Sequence, residues 1–479
     1  MNQRSSIPRF AIVGHPNKGK SSLVSTLSQD ENIAISLMSG TTERNQVYPM
    51  RIDGELLYEL VDTPGFQRSR SAMQWLKERS SSPTDRAEAI RDFVNLHQDS
   101  HTFSAECRLL QPIIEGSGII YVVDGAIPYG KEYVFEMDIL RWTGQPSMAL
   151  INQIGDGDYI EEWEQTLSQY FRIVRTFNAQ TADFQKQIQL LSGFSELKES
   201  WHQPLIRAVS ILENQRVERR SESSMIIMEM ISQMLALSVR RNISGEASLF
   251  ESDQLHDELK QELREIEQLH RLKIEQLYRH QNLERQEDEL SIIDGDLFSE
   301  DSWKLFGLTS DQLLAAGAIG GAATGSTVDL FTSGSTLLLG TGIGAVIGSL
   351  TAWLGGEKLA KSSTAKNSAG EKQLTVGPIK NIQFPYIILG RAIFHHMTIE
   401  KRTHAQRTPI HLTEDQNITK TLFNDDRKEF DRIFERMRKK GADNKQLKEN
   451  LTELINKKLL KAPMLLSTST VPKQVRKTQ

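Results

Sequence analysis

Gly14-His15-Pro16-Asn17-Lys18-Gly19-Lys20-Ser21 follows the apolar run Phe10-Ala11-Ile12-Val13 and leads into Ser22-Leu23-Val24. The spacing is G-x-x-x-x-G-K-[ST], set between a strand pattern and a helix start. Glycines at both ends let backbone N–H groups curl around an anion, and the N-terminus of the following helix adds a favourable dipole. Gly14, Lys18, Gly19 and Ser22 belong to this cradle. Lys20 is placed to reach the β- and γ-phosphates of a nucleotide, and the Ser21 hydroxyl to ligate Mg2+.

Working outward, Asp62-Thr63-Pro64-Gly65 ends the apolar run Leu60-Val61. A strand-end aspartate suits the shell of Mg2+, and the Gly65 N–H suits a γ-phosphate oxygen. Between the two motifs lies Ser39-Gly40-Thr41-Thr42-Glu43-Arg44. A threonine in such a loop closes over the metal once the γ-phosphate is present, an order–disorder switch. The apolar runs Arg9–Gly14, Gln46–Ile52, Leu56–Asp62, Gly118–Asp124, Ser147–Asn152 and Ile173–Asn178 alternate with helical stretches. Near-continuous apolar runs in that order predict an α/β fold with a mostly parallel sheet covered on both faces. Residues 66–117 read as a polar, mostly helical insert between the third and fourth runs.

Taken together, G-x-P-N-x-G-K-S, G-T-T-x-R and D-T-P-G resemble the Era-like P-loop GTPases of the translation-factor-related class, over about residues 8–180. With its long helix and glycine-zipper segment, the chain is also similar to a bacterial group of such GTPases that carries a C-terminal domain of unknown function. The resemblance implies GTP/GDP and Mg2+ as ligands, Lys20, Thr42 and Gly65 as the catalytic set, and Ser21, Thr42 and Asp62 as metal ligands. It implies Thr42 rather than Thr41 as the switch threonine. It also implies K+ at Asn17, as positive charge between the phosphates. A loop-bracing hydrogen bond is the other reading of Asn17, and the neighbouring Lys18 ammonium would oppose or replace that cation. The family's guanine-reading N-K-x-D appears here as Asn152-Gln153-Ile154-Gly155-Asp156. Asn152 fits, glutamine replaces lysine, and Asp156 falls one residue late, so it substitutes only if the loop shifts. A carboxylate that accepts from the guanine edge is the main discriminator against adenine, which leaves GTP against ATP open. Phe177-Asn178-Ala179 matches weakly the loop that offers a backbone N–H to the base. Phe66 stands where many GTPases carry a water-orienting glutamine, and little weight falls on the adjacent Gln67.

Composition bounds the remainder. The chain has 479 residues, with Lys plus Arg 57 against Asp plus Glu 62 and a net charge of −5. That balance argues against a globally basic nucleic-acid binder, whereas a local basic patch is not excluded. A single cysteine, Cys107, excludes a disulfide framework and a thiolate zinc site. The mean hydropathy of −0.41 argues against a polytopic membrane protein. The start MNQRSSIPRF has neither an apolar h-region nor a cleavage site, so a cytoplasmic location is expected. His97, His101 and Cys107 suggest no metal site for want of a fourth ligand, nor do His395-His396, which point to different helix faces. Asp124 reads as a strand-end cap.

Five regions are expected: a P-loop domain over 1–215, a long amphipathic or coiled-coil-like helical region over 216–300, a Gly/Ala-rich apolar hairpin over 301–361, a basic and mainly helical region over 362–465, and a disordered tail over 466–479. The C-terminal half is thus mainly α-helical. Leu255, Leu259, Leu263, Ile266, Ile274 and Leu277 set the helical period, for either a coiled coil or a helix packed on its own domain. Residues 362–377 read as a polar linker. Between Leu313 and Trp353 the only charged residue is Asp329, while Gly317, Gly321, Gly325 and Gly340, Gly344, Gly348 recur at four-residue steps. Each helical glycine costs about 1 kcal/mol against alanine, so such faces need tight packing in lipid or in a protein core. With Lys358, Lys361 and the basic tail, the segment 313–354 points to membrane lipid or a membrane protein at the inner face of the cell membrane. The function expected is a nucleotide switch with slow Mg2+-dependent hydrolysis of GTP. RNA or the ribosome as partner, and a nucleotide-binding scaffold with a non-hydrolysing site, are the alternatives.

Overall fold

The computed structural model describes residues 7–30, 45–99, 101–280, 297, 362–368, 370–406 and 426–467. Thr42, the glycine repeats of 313–354 and the tail beyond 467 lie outside the described residues. Two compact units emerge. The first comprises Met1–Val217 with Arg279–Leu283 and Lys401–Thr408, and the second comprises Glu218–Tyr278, Glu284–Glu400 and Pro409–Gln479.

In the first unit the strands are β1 (Arg9–Val13), β2 (Gln46–Ile52), β3 (Glu55–Asp62), β4 (Gly118–Asp124), β5 (Ser147–Asn152) and β6 (Ile173–Thr176). They form one sheet in the order β2-β3-β1-β4-β5-β6. All neighbours are parallel except β2 and β3. That hairpin turns at Asp53-Gly54, where both φ angles are positive (51° and 83°), the geometry such a pair favours in a two-residue turn.

Alternation along the central strands explains why they read as unbroken apolar runs. Phe10, Ile12, Ile120, Val122, Met148 and Leu150 enter one core. Ala11, Val13, Ile119, Tyr121, Ala149 and Ile151 enter the other. The first core is covered by α1 (Lys20–Ser28), α7 (Phe184–Ser195) and the start of α8 (Glu199–Ala236). Phe10 stacks on Phe194 at 4.5 Å between ring centres and meets Trp201 edge-on at 5.1 Å. The second core is covered by α2 (Ser69–Arg79), α3 (Arg86–His97), α4 (Ser104–Ile114), α5 (Tyr133–Trp142) and α6 (Ile160–Leu167). The expected insert 66–117 therefore supplies three helices of a proper core. His97 packs among Trp75, Phe93 and Phe103.

In the second unit β7 (Val239–Asn242), β8 (Ser362–Lys366) and β9 (Lys372–Val376) make a small antiparallel sheet in the order β7-β9-β8. The helices are the rest of α8, then α9 (Leu249–Leu277), α10 (Phe384–Lys401), α11 (Arg427–Lys440) and α12 (Lys445–Ser467). Two expectations are refined. Leu255 to Leu277 do lie on one helix, α9, but the described part of the region 216–300 is not a single helix: β7 separates α8 from α9, which restarts on a capping box between Ser248 and Glu251. Residues 362–377 are not a linker: Leu374 and Val376 alternate inward along β9, and β7 supplies the pairing that sequence alone does not show. Nor is the buried stripe of α9 a plain apolar seam. Glu267 meets Arg391 of α10 at 2.7 Å and Arg271 at 3.0 Å. Glu275 meets His395 at 3.1 Å, and Tyr278 bonds His396 at 3.0 Å. Buried charges of this kind need such pairing.

Candidate functional site

The loop Gly14–Gly19 leaves β1 at the carboxyl edge of the sheet and enters α1. Its shape explains its residues. Gly14 has φ 145°, and a Cβ there would stand 2.3 Å from the Val122 carbonyl oxygen. Gly19 has φ 78°, and a Cβ there would stand 2.2 Å from Asn152 Nδ2. Asn17, exposed at the turn, adopts φ 62°, a left-handed conformation asparagine tolerates.

Lys20 is buried, and its Nζ donates to the carbonyls of His15 (3.0 Å) and Gly14 (3.3 Å). Burial pushes its pKa down, opposed chiefly by the Asp62 carboxylate. The Ser21 hydroxyl donates to Asp62 Oδ2 at 2.8 Å, so the end of β3 and the start of α1 converge on one spot. Thr63 locks the neighbouring turn by donating to the Ile12 carbonyl at 2.7 Å. Gly65 approaches so closely that a Cβ would stand 2.6 Å from Pro16 N. Phe66 is buried in the second core and Gln67 is exposed. Glu106 of α4, itself buried, accepts from the backbone N–H of Gln67 (2.8 Å) and Arg68 (2.5 Å) and so fixes the segment after Gly65.

Asn152, at the end of β5, ties three parts together. Its Nδ2 donates to the Lys18 carbonyl at 3.1 Å, and its Oδ1 accepts from the Ala179 N–H at 3.1 Å. Thr26 of α1 donates to the Ala179 carbonyl at 2.7 Å. The loop after Asn152 folds back on itself. Gln153 Nε2 donates to the Gly157 carbonyl at 2.8 Å, and Asn178 donates to the Gln153 carbonyl at 2.7 Å. Asp156 is exposed. Asp124 accepts from the Ala126 N–H at 2.9 Å, which caps the end of β4. The sequence-derived Gly14, Asn17, Lys18, Gly19, Lys20, Ser21, Ser22, Asp62, Gly65 and Asn152 thus all lie on this sheet edge and its loops.

Two features were missed by sequence reasoning. Glu136 of α5 is buried beneath the loop: Oε1 lies 2.9 Å from His15 Nδ1, and Oε2 accepts from the Tyr121 hydroxyl at 2.9 Å. Burial pushes its pKa up, against the pull of His15 and Tyr121. An acidic residue on the stripe Tyr133, Met137, Leu140 was the available signal. The other is the segment 401–406, which no local pattern links to this site. Ser25 of α1 donates to the His404 carbonyl at 3.0 Å, and Thr403 donates to the Gln180 carbonyl at 2.8 Å.

The model of the family described as a domain of unknown function, DUF3482, matches residues 164–461. The chain belongs to this family. The model described as 50S ribosome-binding GTPase matches residues 9–141, and the N-terminal domain of this DUF3482 protein is an Era-like P-loop GTPase domain. Curated relatives include the GTPase Der of Mycoplasma pneumoniae, 25% identical over 242 residues, covering 50% of this chain and 43% of the relative. The GTPase Der of Moorella thermoacetica is 30% identical over 169 residues, covering 35% of this chain and 32% of the relative. The chain therefore spans less than half the length of these relatives. Among solved structures, an Aquifex aeolicus Era variant bound to GDP.AlF4- aligns over 57% of this chain and 89% of its own at 15% identity and a TM-score of 0.27.

Proposed function

We propose that this protein binds a guanine nucleotide at Gly14–Ser21 and hydrolyses GTP slowly, its conformation set by the nucleotide present. The observation that carries the reading is the convergence of Lys20, Ser21 and Asp62 on one spot of the sheet edge. Lys20 is stored on two loop carbonyls, from which it can turn to a phosphate without leaving its burial site. A hydroxyl and a carboxylate side by side form an oxygen donor pair suited to Mg2+, which when bound supplies positive charge against the phosphates. Loop N–H groups and the N-terminus of α1 would stabilise the phosphate charge. Thr42 is proposed to complete the metal shell and the Gly65 N–H to bond the γ-phosphate. The buried Phe66 orients no water, so the attacking water must be placed by another group. K+ at Asn17 is part of this reading, and equal hydrolysis rates in K+ and Na+ would remove it.

Guanine preference rests on the relatives' description as GTPases; Asn152 contributes by bracing the loops of Lys18 and Ala179. Binding of fluorescent GTP and ATP analogues to wild type and Lys20→Ala tests the reading. Wild type is expected to bind the GTP analogue, and the variant to lose at least about tenfold in affinity with the loss of a charged phosphate contact. Failure of wild type to bind either analogue overturns it.

For the C-terminal half, we propose docking at the inner face of a membrane through 313–354, supported by the glycine repeats and the adjoining lysines. No helix among the described residues is long and apolar enough to cross a membrane. The description of the matched GTPase model as 50S ribosome-binding favours a second reading, association with the ribosome or its RNA.

A further inference from the structure

Glu136 is a buried carboxylate that the proposed chemistry does not use. Its place on α5, in the stripe of Tyr133, Met137 and Leu140, would suit leucine or methionine if space were all it filled. Removing a carboxylate from water is costly unless its oxygens are well bonded. Here each oxygen has a designated partner: Tyr121 on β4 and His15 in the phosphate loop, both at 2.9 Å. Tyr121 is itself fixed, buried in the sheet with its ring stacked on Phe171 at 5.4 Å. The His15 ring is also met edge-on by Tyr133 at 5.5 Å. A rigid path thus runs from the central sheet through Tyr121 and Glu136 to His15. It ends on the backbone, because the His15 carbonyl accepts from Lys20 at 3.0 Å. The loop holds Gly14 and Asn17 at φ 145° and 62°, conformations that glycine and asparagine permit but do not by themselves fix.

We propose that Glu136 is a positioning residue of the phosphate loop, acting through His15 to hold its N–H groups and the store of Lys20 in the shape a phosphate requires. The inference rests on the nucleotide-binding reading above. Its physical basis is preorganisation: a loop tethered before binding has less conformational freedom to lose when the ligand arrives.

The test uses the full chain and a fluorescent GTP analogue. Glu136→Leu and His15→Ala are each expected to weaken binding about tenfold, and the double variant no further, because both cut the same tether. Glu136→Gln keeps a polar group for both partners and is expected to stay within about threefold of wild type. Thermal midpoints are measured alongside, and Tyr121→Phe, which cuts the path one step earlier, serves if Glu136→Leu fails to fold. Amide exchange over residues 14–21 in the nucleotide-free protein reads the tether without any ligand. It is expected to quicken in Glu136→Leu and His15→Ala. Unchanged exchange overturns the proposal even where wild type binds nucleotide. So do losses that multiply in the double variant, or a lowered midpoint with unchanged affinity. Quickened exchange in a protein that binds no nucleotide overturns the function instead and leaves the tether standing.

Discussion

Gly155 and Gly157 stand two residues apart in the loop after β5, and the structure gives them opposite tolerances. A Cβ at Gly155 would meet only the Ala126 methyl, at 3.3 Å, whereas one at Gly157 would stand 2.1 Å from the Ala126 carbonyl oxygen. Gly155→Asp places a carboxylate where related GTPases read guanine. It is expected to raise the preference for a GTP over an ATP analogue by about tenfold or more, measured as a ratio of dissociation constants. Gly157→Ala is expected to lower stability by about 1–3 kcal/mol, read as a shift in denaturant midpoint, because the clash is with backbone. At this scale the phosphate motif was legible because its glycines, lysine and serine are each demanded by local chemistry. Asn152 was recognised, yet its partners were not, since Lys18 and Ala179 come from other loops. Glu136 left only the weak signal of an acidic residue on an apolar stripe, and its role depends on His15, which comes from another loop.

At the scale of elements, the central strands β1, β4 and β5 were legible because both faces of the sheet are buried there, so each is apolar along its length, whereas β2 and β6 at the edges are largely exposed. The second sheet was not legible. Every residue of β8 is exposed and β7 spans four residues, so neither carries a hydrophobic period, and the pairing of β7 with β9 joins distant parts of the chain. The junction of α11 and α12 shows what pairing contributes. Asp426, just before α11, meets Lys457 at 2.8 Å and Lys458 at 2.7 Å, and these ammonium groups hold its carboxyl at about 2, below the usual 3.8. A carboxyl with a depressed folded pKa contributes stability that is fully present above its unfolded value and is lost as pH falls through the folded one. Asp426→Asn is therefore expected to be destabilised at neutral pH, with the gap to wild type closing from about pH 4 to about pH 2. Thermal midpoints across that range check it; a gap that persists at the acid end assigns the effect to packing.

At the scale of the molecule, the net charge of −5 hides an uncharged glycine-rich stretch and a basic C-terminal region. The full chain is expected to float with vesicles containing anionic lipid and a chain lacking 313–354 to remain behind. Co-sedimentation of both with ribosomal subunits instead would favour the ribosomal reading. The sequence by itself determined the α/β domain, its P-loop, the aspartate Asp62 at the end of β3 and the helical character of the C-terminal half. Those features follow from local periodicity and from motifs whose residues act within a few positions of one another. Tertiary structure alone decided which distant groups complete the site. Ser25 is held to the carbonyl of His404, 379 residues away, and Glu136 reaches His15 from 121 residues away. The reason is physical. A hydrogen bond depends on distance in space, and a folded chain brings together groups whose spacing along the sequence carries no periodic signal.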